Sequence, residues 1–493
     1  MGLDYQYFEQ MEAKIPKGKV RTRFAPSPTG YMHVGNLRTA LYTWLIARHG
    51  KGTFILRIEY TDQGRLVEGA TDVIYRTMAE CKLDHDEGPD VGGPVAPYIQ
   101  SERRDTYGQY ARLLVEKGHA YYCFCEKNEN ETEEEQFDKV EDPCRSMSLE
   151  EALAKVEAGE PYVIRQKIPH GGTTAFQDAI FGDITVENDT LDDQVLLKRD
   201  GLPTYNFANV IDDHLMGITH VVRGSEYLSS APKYNLLYQA FGWDVPTYVH
   251  CSPVMRDAQH KMSKRHGDPS YEDLKAQGYL TEAILNYVAL LGWSPRGELA
   301  EKEIFTLDEL VEAFELTGVS KSPAIFDIDK LTHFNAIYLR SMSPEAFLEV
   351  AAPYIRQSVT KYDPALIAPL LQARCEKLTE IPEKVDFFDV LPEYSVELFT
   401  NKKSKCNPEV SKAMLEAVIP MLDGIAQWTT EAIHDGLIAL AEKLEVKNAT
   451  LMWPVRIAAA GKSVTPGGAV EICSILGKEE TLRRLKLGLE KLG

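Results

Sequence analysis

The chain has 493 residues, and at about 150 residues per domain this length predicts roughly three or four domains. Its 54 Lys and Arg residues stand against 74 Asp and Glu residues, a net charge of −20, which disfavours indiscriminate coating of nucleic acid but permits a specific complex through a local cluster of cations. A hydrophobic content of 44% and a charged content of 26% exclude disordered and fibrous classes.

The first predicted elements alternate between strand and helix. Residues 19–25 (KVRTRFA) read as a short strand, and the following PSPTG contains two prolines and a glycine that must end it. A periodic helix is predicted from about Asn36 to Arg48, and a second strand over 54–60 (FILRIEY). This order predicts a βαβ unit in a parallel sheet, whose ligands bind at the carboxyl ends of the strands.

The middle of the chain predicts an interrupted sheet, and the C-terminal third predicts helices. The span 126–142 has nine carboxylates against two lysines and is predicted as a solvated helix or loop without chemistry. Strand-like segments follow at 162–168 and 193–213, and 219–228 (THVVRGSEYL) again reads as a buried strand that enters a helix. Beyond about Leu331, amphipathic segments such as 408–425 and 430–444 predict helices.

Composition also gives expectations about compartment and redox state. We find no run of about 18 uncharged apolar residues and no apolar core in the acidic N-terminal stretch, so we expect a cytoplasmic protein without a membrane segment. Eight scattered cysteines predict reduced thiols, not a disulfide framework. Only Cys123, Cys125 and Cys144 lie close together in sequence.

Two segments have residue types that suit phosphate chemistry. The first, 23–36 (RFAPSPTGYMHVGN), lies at the predicted turn from strand to helix, where unpaired N–H groups and the positive end of the helix dipole attract anions. His33 and Asn36 are candidate donors to phosphate oxygens, and Gly35 permits close approach to the backbone. The second, 261–265 (KMSKR), has three cations that could clamp a polyphosphate. Either segment alone is also compatible with an ordinary turn or a solvated basic patch.

Taken together and in this order, the two segments resemble the HIGH and KMSKS signatures of class I aminoacyl-tRNA synthetases. The segments 23–41, 56–65, 202–228 and 261–274 are similar to the glutamyl-tRNA synthetase branch, and residues 454–485 resemble the C-terminus of its bacterial members. The resemblance covers nearly the whole chain. It implies an enzyme that activates glutamate with ATP to glutamyl adenylate and then transfers the glutamyl group to tRNA-Glu.

The resemblance also implies roles for individual residues. The expected glutamate-binding residues are Arg23, Ser27, Glu59, Tyr205, Asn209 and Arg223. The expected ATP-binding residues are His33, Gly35, Asn36, Glu226, Lys261 and Lys264, of which His33, Asn36, Lys261 and Lys264 are the expected catalytic residues. Two arginines suit two carboxylates. Since the substrate carboxylate attacks the α-phosphorus itself, no protein nucleophile is needed, and Mg²⁺ is expected on the phosphates.

Two positions depart from the family pattern. Tyr60 stands where the motif usually has Asp, and we expect the amino-acid pocket to be unaffected. Some family members hold zinc with a Cys-x-Cys pair, a later Cys and a His two residues beyond it, whereas Ser146 stands at that last position here. Structural zinc requires four ligands, so we expect three reduced cysteines and no metal.

Domains, partners and alternatives complete the expectations. The expected domains are a Rossmann-like catalytic domain (1–98 and 206–257), an inserted acceptor-end domain (99–205), a stem-contact region (258–335) and a helical anticodon-binding region of two subdomains (336–493). We expect a monomer, with tRNA-Gln left open as a second acceptor. The alternatives are a glutaminyl-tRNA synthetase, a catalytically inactive tRNA-binding paralogue and a small-molecule nucleotidyltransferase, while a truncated tRNA-modifying relative is excluded by length.

Overall fold

The computed structural model describes residues 3–28, 30–59, 69–125, 142–262 and 267–493. The expectations for Tyr60, for the acidic span up to residue 141 and for Lys264 therefore lie outside the described residues. The chain divides into two compact units, one of Met1–Leu274 with Ile284–Asp327 and one of Lys275–Ala283 with Ile328–Gly493.

The strands belong almost entirely to three sheets of the first unit. In chain order they are β1 (Arg21–Phe24), β2 (Thr53–Leu56), β3 (Ala120–Cys123), β4 (Val163–Gln166), β5 (Thr173–Asp178), β6 (Gly182–Glu187), β7 (Val195–Leu197), β8 (His220–Gly224), β9 (Thr247–Cys251), β10 (Val254–Met255) and β11 (Ala324–Ile325).

The main sheet has the order β2-β1-β8-β9-β5-β6. Every neighbouring pair is parallel except β5 and β6, which pair antiparallel at one edge. The predicted parallel sheet is confirmed. Because the chain leaves β1 toward β2 on one side while β8 lies on the other, a crevice opens beyond the carboxyl ends of β1 and β8, where ligands of open α/β sheets bind.

Helices occur in both units and make up nearly all of the second unit. In chain order they are α1 (Tyr5–Ala13), α2 (Val34–His49), α3 (Ala70–Glu80), α4 (Arg104–Glu116), α5 (Leu149–Glu157), α6 (Tyr205–Leu215), α7 (Ala231–Phe241), α8 (Tyr271–Ala276), α9 (Thr281–Ala289), α10 (Leu307–Ala313), α11 (Ile328–Ser341), α12 (Pro344–Ile355), α13 (Pro364–Leu371), α14 (Ile381–Val385), α15 (Pro408–Asp423), α16 (Thr430–Lys443), α17 (Asn448–Ala460), α18 (Ala469–Leu476) and α19 (Lys478–Lys491).

The opening β1-α2-β2 unit follows from local sequence. All four residues of β1 are buried, and the prolines after it end the strand. His33 caps α2, since its side chain accepts a hydrogen bond from the Gly35 N–H. The helix packs on β1 and β2 and is buried on several faces, as expected of a helix between a sheet and further structure.

The span predicted as an insertion contributes to two different sheets. Strands β3, β4 and β7 form a separate antiparallel sheet. Strands β5 and β6, from the same span, extend the main sheet instead, because Asp178 pairs with Tyr248 of β9. The main sheet is thus completed by residues that follow the start of the insertion.

The second unit is a helical array around its own apolar core. Leu339, Phe387, Leu415, Val455 and Leu485 are buried there and come from five separate segments. The predicted helices at 408–425 and 430–444 are confirmed by α15 and α16. Among the described residues, no helix combines the length and the apolar character needed to cross a membrane.

Candidate active site

A cleft of about 380 Å³ lies at the carboxyl ends of β1, β8 and β9. Its lining includes ten of the predicted site residues: Arg23, Ser27, His33, Gly35, Asn36, Glu59, Tyr205, Arg223, Glu226 and Lys261. All lie in the first unit. The structure therefore brings together residues that are up to about 240 positions apart in sequence, although their roles toward a ligand remain predictions.

The His33 side chain has a defined tautomer. Its Nδ1 accepts a hydrogen bond from the Gly35 N–H at 3.2 Å, and an N–H can only donate, so Nδ1 is unprotonated. In neutral His33, Nε2 then carries the proton and is a donor. Asn36 lies in the first turn of α2 and is exposed at the cleft. Both side chains therefore suit binding of phosphate oxygens.

Lys261 lies on a short antiparallel turn that faces the same cleft. It forms a bridge with Met255, and the Met262 N–H donates to the Val254 carbonyl at 3.1 Å. On the other side of the undescribed residues 263–266, Ser270 forms a bridge with His33. The described residues on either side of 263–266 are thus held by backbone pairing, Lys261 to Met255 and Ser270 to His33 before the start of α2.

A buried four-residue cluster of charges, which we call the Asp213 cluster, lies against the cleft. It consists of Arg23, Arg57, Glu59 and Asp213. Arg23 donates to Asp213 through Nε at 2.9 Å and Nη2 at 3.2 Å, and Arg57 donates to the same carboxylate at 2.7 Å. Arg57 also donates to Glu59 at 2.8 Å. The two cations and two anions neutralise each other inside the protein.

The pKa shifts in the Asp213 cluster have opposite signs. Burial disfavours the charge on Asp213, but Arg23 and Arg57 outweigh it and hold the pKa of this carboxyl below its usual value. Burial dominates at Glu59, whose pKa is raised despite Arg57 and Arg23. Glu59 and Arg23 line the cleft, so the cluster presents one anion and one cation to a ligand.

Arg223 has different surroundings. Its Nε donates to Nε2 of His250 at 3.0 Å, and Nδ1 of His250 lies 2.6 Å from Oδ2 of Asp178. The Arg223 side chain is 5% exposed, and its Nη2 has no hydrogen-bond partner among the described residues. A buried guanidinium with an unused donor suits a carboxylate ligand.

Tyrosine rings surround the Arg223 guanidinium. Its carbon lies 4.6 Å from the ring centre of Tyr234, 5.2 Å from that of Tyr248 and 5.4 Å from that of Tyr227. The electron-rich ring faces stabilise the cation without consuming its N–H donors. These ring contacts therefore leave the N–H donors of Arg223 for a ligand.

The remaining predicted glutamate ligands differ in position. Tyr205 begins α6 and lines the cleft, with its ring 5.4 Å from that of Tyr227. Ser27 is exposed on the lining after β1. Asn209 is buried one turn into α6, its Nδ2 donates to the Tyr205 carbonyl at 2.9 Å, and it is not among the described lining residues. In this structure Asn209 supports Tyr205.

Four buried residues at the site were missed by sequence reasoning, namely Arg57, Asp178, Asp213 and His250. Arg57 had a usable signal, because it lies two positions before Glu59 and strand alternation places both on one face. For the other three, no local pattern indicates that they contact residues 27 to 190 positions away.

The three clustered cysteines have a fourth partner that the sequence analysis did not consider. The sulfurs of Cys123, Cys125 and Cys144 and a carboxylate oxygen of Asp142 lie within 4.8 Å of one another. Ligands around a tetrahedral zinc ion are each about 2.0–2.3 Å from the metal, so this set is close to the required spacing. Three thiols and a carboxylate also have the right donor chemistry for zinc.

Comparison with known proteins agrees with this geometry. Residues 19–333 match the family model described as tRNA synthetases class I (E and Q), catalytic domain, and residues 346–489 match an anticodon binding domain. A glutamate–tRNA ligase of Clostridium botulinum (strain Hall) is 58% identical over 481 residues, which are 96% of this chain and 99% of that protein. A glutamate–tRNA ligase of Clostridium tetani is 57% identical, over 96% of this chain and 98% of that protein.

A solved structure has the same fold along nearly the whole chain. The crystal structure of a glutamate tRNA ligase from Elizabethkingia meningosepticum CCUG26117 in complex with its amino acid is similar with a TM-score of 0.86 and 35% identity, covering 97% of this chain and 100% of that one. The catalytic family model spans well over half of the sequence and contains every strand end that forms the cleft. The chain therefore belongs to the class I tRNA synthetases of the E and Q family.

Proposed function

We propose that the protein ligates L-glutamate to tRNA-Glu in two steps, through a glutamyl-adenylate intermediate. The observation that carries the proposal is Arg223, which lines the same cleft as His33 and Lys261 and whose buried Nη2 has no partner among the described residues. A carboxylate site beside a phosphate site is what the joining of glutamate to ATP requires. The relatives named as glutamate–tRNA ligases support the choice of amino acid.

In the amino-acid site, Arg223 and Arg23 bind the two carboxylates of glutamate. Ser27 and Tyr205 add hydrogen bonds, Glu59 accepts from the α-ammonium, and Asn209 acts through Tyr205. Glutamine has no second carboxylate, so it would leave a buried guanidinium donor unpaired. A site that pairs a polar group strongly rejects analogues that lack the partner.

In the nucleotide site, His33, Asn36, Lys261 and Lys264 contact the phosphates, Gly35 permits close approach, and Glu226 lies on the adenosine side. When bound, Mg²⁺ supplies positive charge at the phosphate oxygens. The protein residues align the glutamate carboxylate with the α-phosphorus and stabilise the charge that develops on the pyrophosphate leaving group. No protein side chain forms a covalent intermediate.

The rest of the chain binds tRNA in this proposal. The region 99–205 receives the acceptor end, 258–335 contacts the stem, and 336–493 reads the anticodon as a helical region. We also propose a monomer, which a molar-mass measurement in solution would check. With a net charge of −20, tRNA binding depends on local basic surface and weakens steeply with salt.

The direct test is aminoacylation with the purified protein. Transcripts of tRNA-Glu and tRNA-Gln are each incubated with ATP and either labelled glutamate or labelled glutamine. Glutamate should be attached to tRNA-Glu, and glutamine to neither tRNA; charging of tRNA-Gln with glutamate would define a relaxed anticodon preference. Attachment of glutamine would favour the glutaminyl alternative, and no charging at all would favour an inactive paralogue.

A second test addresses the phosphate site. Lys264→Ala should lower the rate of adenylate formation about a hundredfold, equivalent to roughly 3 kcal/mol, because its charge is needed where phosphate negativity develops. Glutamate affinity should change little. Lys14 is exposed at the end of α1 and is not among the cleft-lining residues, so it provides a matched control. Lys14→Ala should keep wild-type rates. Wild-type turnover of Lys264→Ala would remove this lysine from the mechanism.

A third test addresses coupling to tRNA. In the proposal, acceptor-end binding reshapes the cleft, so remote binding energy helps to assemble the catalytic geometry. Exchange of pyrophosphate into ATP should then be negligible with glutamate alone and appear when tRNA-Glu is added. Vigorous exchange without tRNA would contradict the coupling but not the ligase assignment.

We also propose that the cysteine cluster binds a structural zinc ion, with Asp142 as the fourth ligand. The expectation of metal-free cysteines rested on a missing ligand, and the carboxylate supplies it. The Arg165 side chain, 3.4 Å from Asp142, would offset the excess negative charge of three thiolates and a carboxylate. Metal analysis of the purified protein should give one zinc per chain, and Asp142→Ala should lower that content. A zinc-free, fully folded wild-type protein would restore the original expectation.

A further inference from the structure

Behind the cleft, three neighbouring strands each contribute one residue to a buried chain of hydrogen bonds. Arg223 of β8 lies directly beside His250 of β9 in the parallel register, and Asp178 ends the next strand, β5. The Asp178 carboxylate is held in turn by the N–H groups of Ile180 and Phe181, at 2.9 and 2.8 Å. The sheet itself therefore fixes the order Asp178, His250, Arg223.

The direction of the hydrogen bonds defines the state of His250. The Arg223 Nε–H can only donate, so His250 Nε2 must accept with a lone pair. The proton of neutral His250 then lies on Nδ1 and is donated to Asp178. A protonated His250 would direct an N–H and a positive charge at the Arg223 Nε–H, and the contact would be lost. Only the neutral histidine can hold the arginine.

This contact uses Nε of the guanidinium and leaves Nη2 of this cleft-lining residue without a partner among the described residues. His250 is 0% exposed and Asp178 is 1% exposed, so neither can contact a ligand in the cleft. A carboxylate in direct contact with Arg223 would occupy the donors that a substrate needs, whereas a neutral imidazole orients the guanidinium and takes only Nε. His250 therefore orients the Arg223 guanidinium without neutralising its charge.

We propose that His250, itself held by Asp178, is a positioning residue that orients Arg223 to bind a carboxylate of the amino-acid substrate. The inference rests on the proposed role of Arg223 in glutamate binding. It assigns to the β9 and β5 residues an effect on the amino-acid site and none on the phosphate site. The pair acts through Arg223 alone.

Kinetics separate this role from a purely structural one. His250→Leu removes the acceptor, and its glutamate KM should rise about tenfold while kcat and the ATP KM change by less than about threefold. His250→Gln keeps an acceptor oxygen on a side chain of similar reach and should recover most of the glutamate affinity. The matched control His220→Leu, at the other end of β8, should leave the glutamate KM unchanged. Equal effects of the Leu and Gln variants, or equal effects on both substrates, would overturn the proposal.

A double mutant tests whether His250 acts through Arg223. In an Arg223→Ala background, His250→Leu should have no further effect on the glutamate KM, because the residue through which His250 acts is gone. If Arg223→Ala itself leaves the glutamate KM unchanged, the proposed function of Arg223 fails. If Arg223→Ala raises the KM but His250→Leu does not, the positioning role alone fails. Thermal melting of each variant identifies any that does not fold.

The pH profile supplies a further readout. The charged or titratable groups that interact with His250 in the described chain are Asp178, Arg223, Glu226 and Tyr248. Burial lowers the pKa of His250, Arg223 lowers it further, and Asp178 and Glu226 oppose this. As pH falls through that pKa, the wild-type glutamate KM should rise while the ATP KM does not. His250→Gln should abolish the rise, and an unchanged profile in this variant would overturn the proposal.

Discussion

The Asp213 cluster and the Arg223 site lie on the same cleft, but buried arginines have carboxylate partners in the first and a histidine and aromatic rings in the second. In the cluster, Arg23 and Arg57 share Asp213, and Arg57 also pairs with Glu59, so the positive charge is neutralised within the protein. At the other site a neutral histidine and three aromatic rings surround Arg223. Breaking a buried ion pair is costly, whereas an arginine with an unused donor has binding capacity left. The first arrangement neutralises its arginines within the protein, and the second leaves an arginine donor without a partner among the described residues.

The largest expected effect comes from removing the anion of the cluster. Asp213→Ala would leave Arg23 and Arg57 buried beside each other without their shared partner, and we expect a loss of about 3–5 kcal/mol in the free energy of unfolding. Urea denaturation measures it. The exposed Asp183 on β6 is the control, and Asp183→Ala should stay within about 0.5 kcal/mol of wild type. A loss below about 1 kcal/mol for Asp213→Ala would remove the distinction between the two sites.

Variants of the two cleft arginines should lose glutamate affinity to a similar extent but differ in stability. Arg23→Ala and Arg223→Ala should each raise the glutamate KM at least about tenfold, or roughly 1.4 kcal/mol, and weaken discrimination against glutamine. Arg23→Ala should also destabilise the fold, because it removes one of the two arginine partners of Asp213, whereas Arg223→Ala breaks no ion pair among the described residues. Equal stability losses in the two variants would contradict the comparison. Unchanged glutamate kinetics would exclude the residue concerned from the pocket.

Acid unfolding tests how much the ionised Asp213 carboxylate contributes to the stability of the cluster. Because the folded-state pKa of Asp213 is lowered below its ordinary value of 3.8, its contribution to stability is complete above about pH 4 and is lost as pH falls through the folded pKa. Asp213→Asn has no such proton to gain. Its free energy of unfolding should therefore fall less steeply than that of wild type between pH 4 and pH 2, when both are measured in urea. Parallel slopes would show that the cluster does not titrate in this range.

The smallest effect concerns the aromatic surroundings of Arg223. Tyr227→Leu removes one ring face and should raise the glutamate KM about two- to fivefold, corresponding to roughly 0.5–1 kcal/mol. Tyr227→Phe keeps the ring and serves as the control, with a KM near that of wild type. If the Phe variant lost as much affinity as the Leu variant, the hydroxyl and not the ring would be the important group.

The sequence predicted the secondary-structure elements and motif residues that depend on short stretches of chain. The prolines after β1, the periodicity of α2 and the amphipathic C-terminal segments predicted these elements, and the two motifs predicted nearly half of the described cleft lining. The contacts between Arg23 and Asp213, 190 residues apart, and between Asp178 and His250, 72 residues apart, arise from strand order. No period or motif encodes that order. Asp142, the proposed fourth ligand, carries no signal in a family pattern that contains only Cys and His ligands.

The position of β5 also has a consequence for building chimeras. An exchange of residues 99–205 between homologous enzymes would transplant β5 and β6, and with them Asp178, into a foreign main sheet next to β9. The recipient would receive a new partner for His250 together with the rest of residues 99–205. A graft of β3, β4 and β7 that leaves out residues 173–187 would keep the recipient's own β5–β6 hairpin in place. The natural unit of exchange is therefore smaller than the inserted sequence.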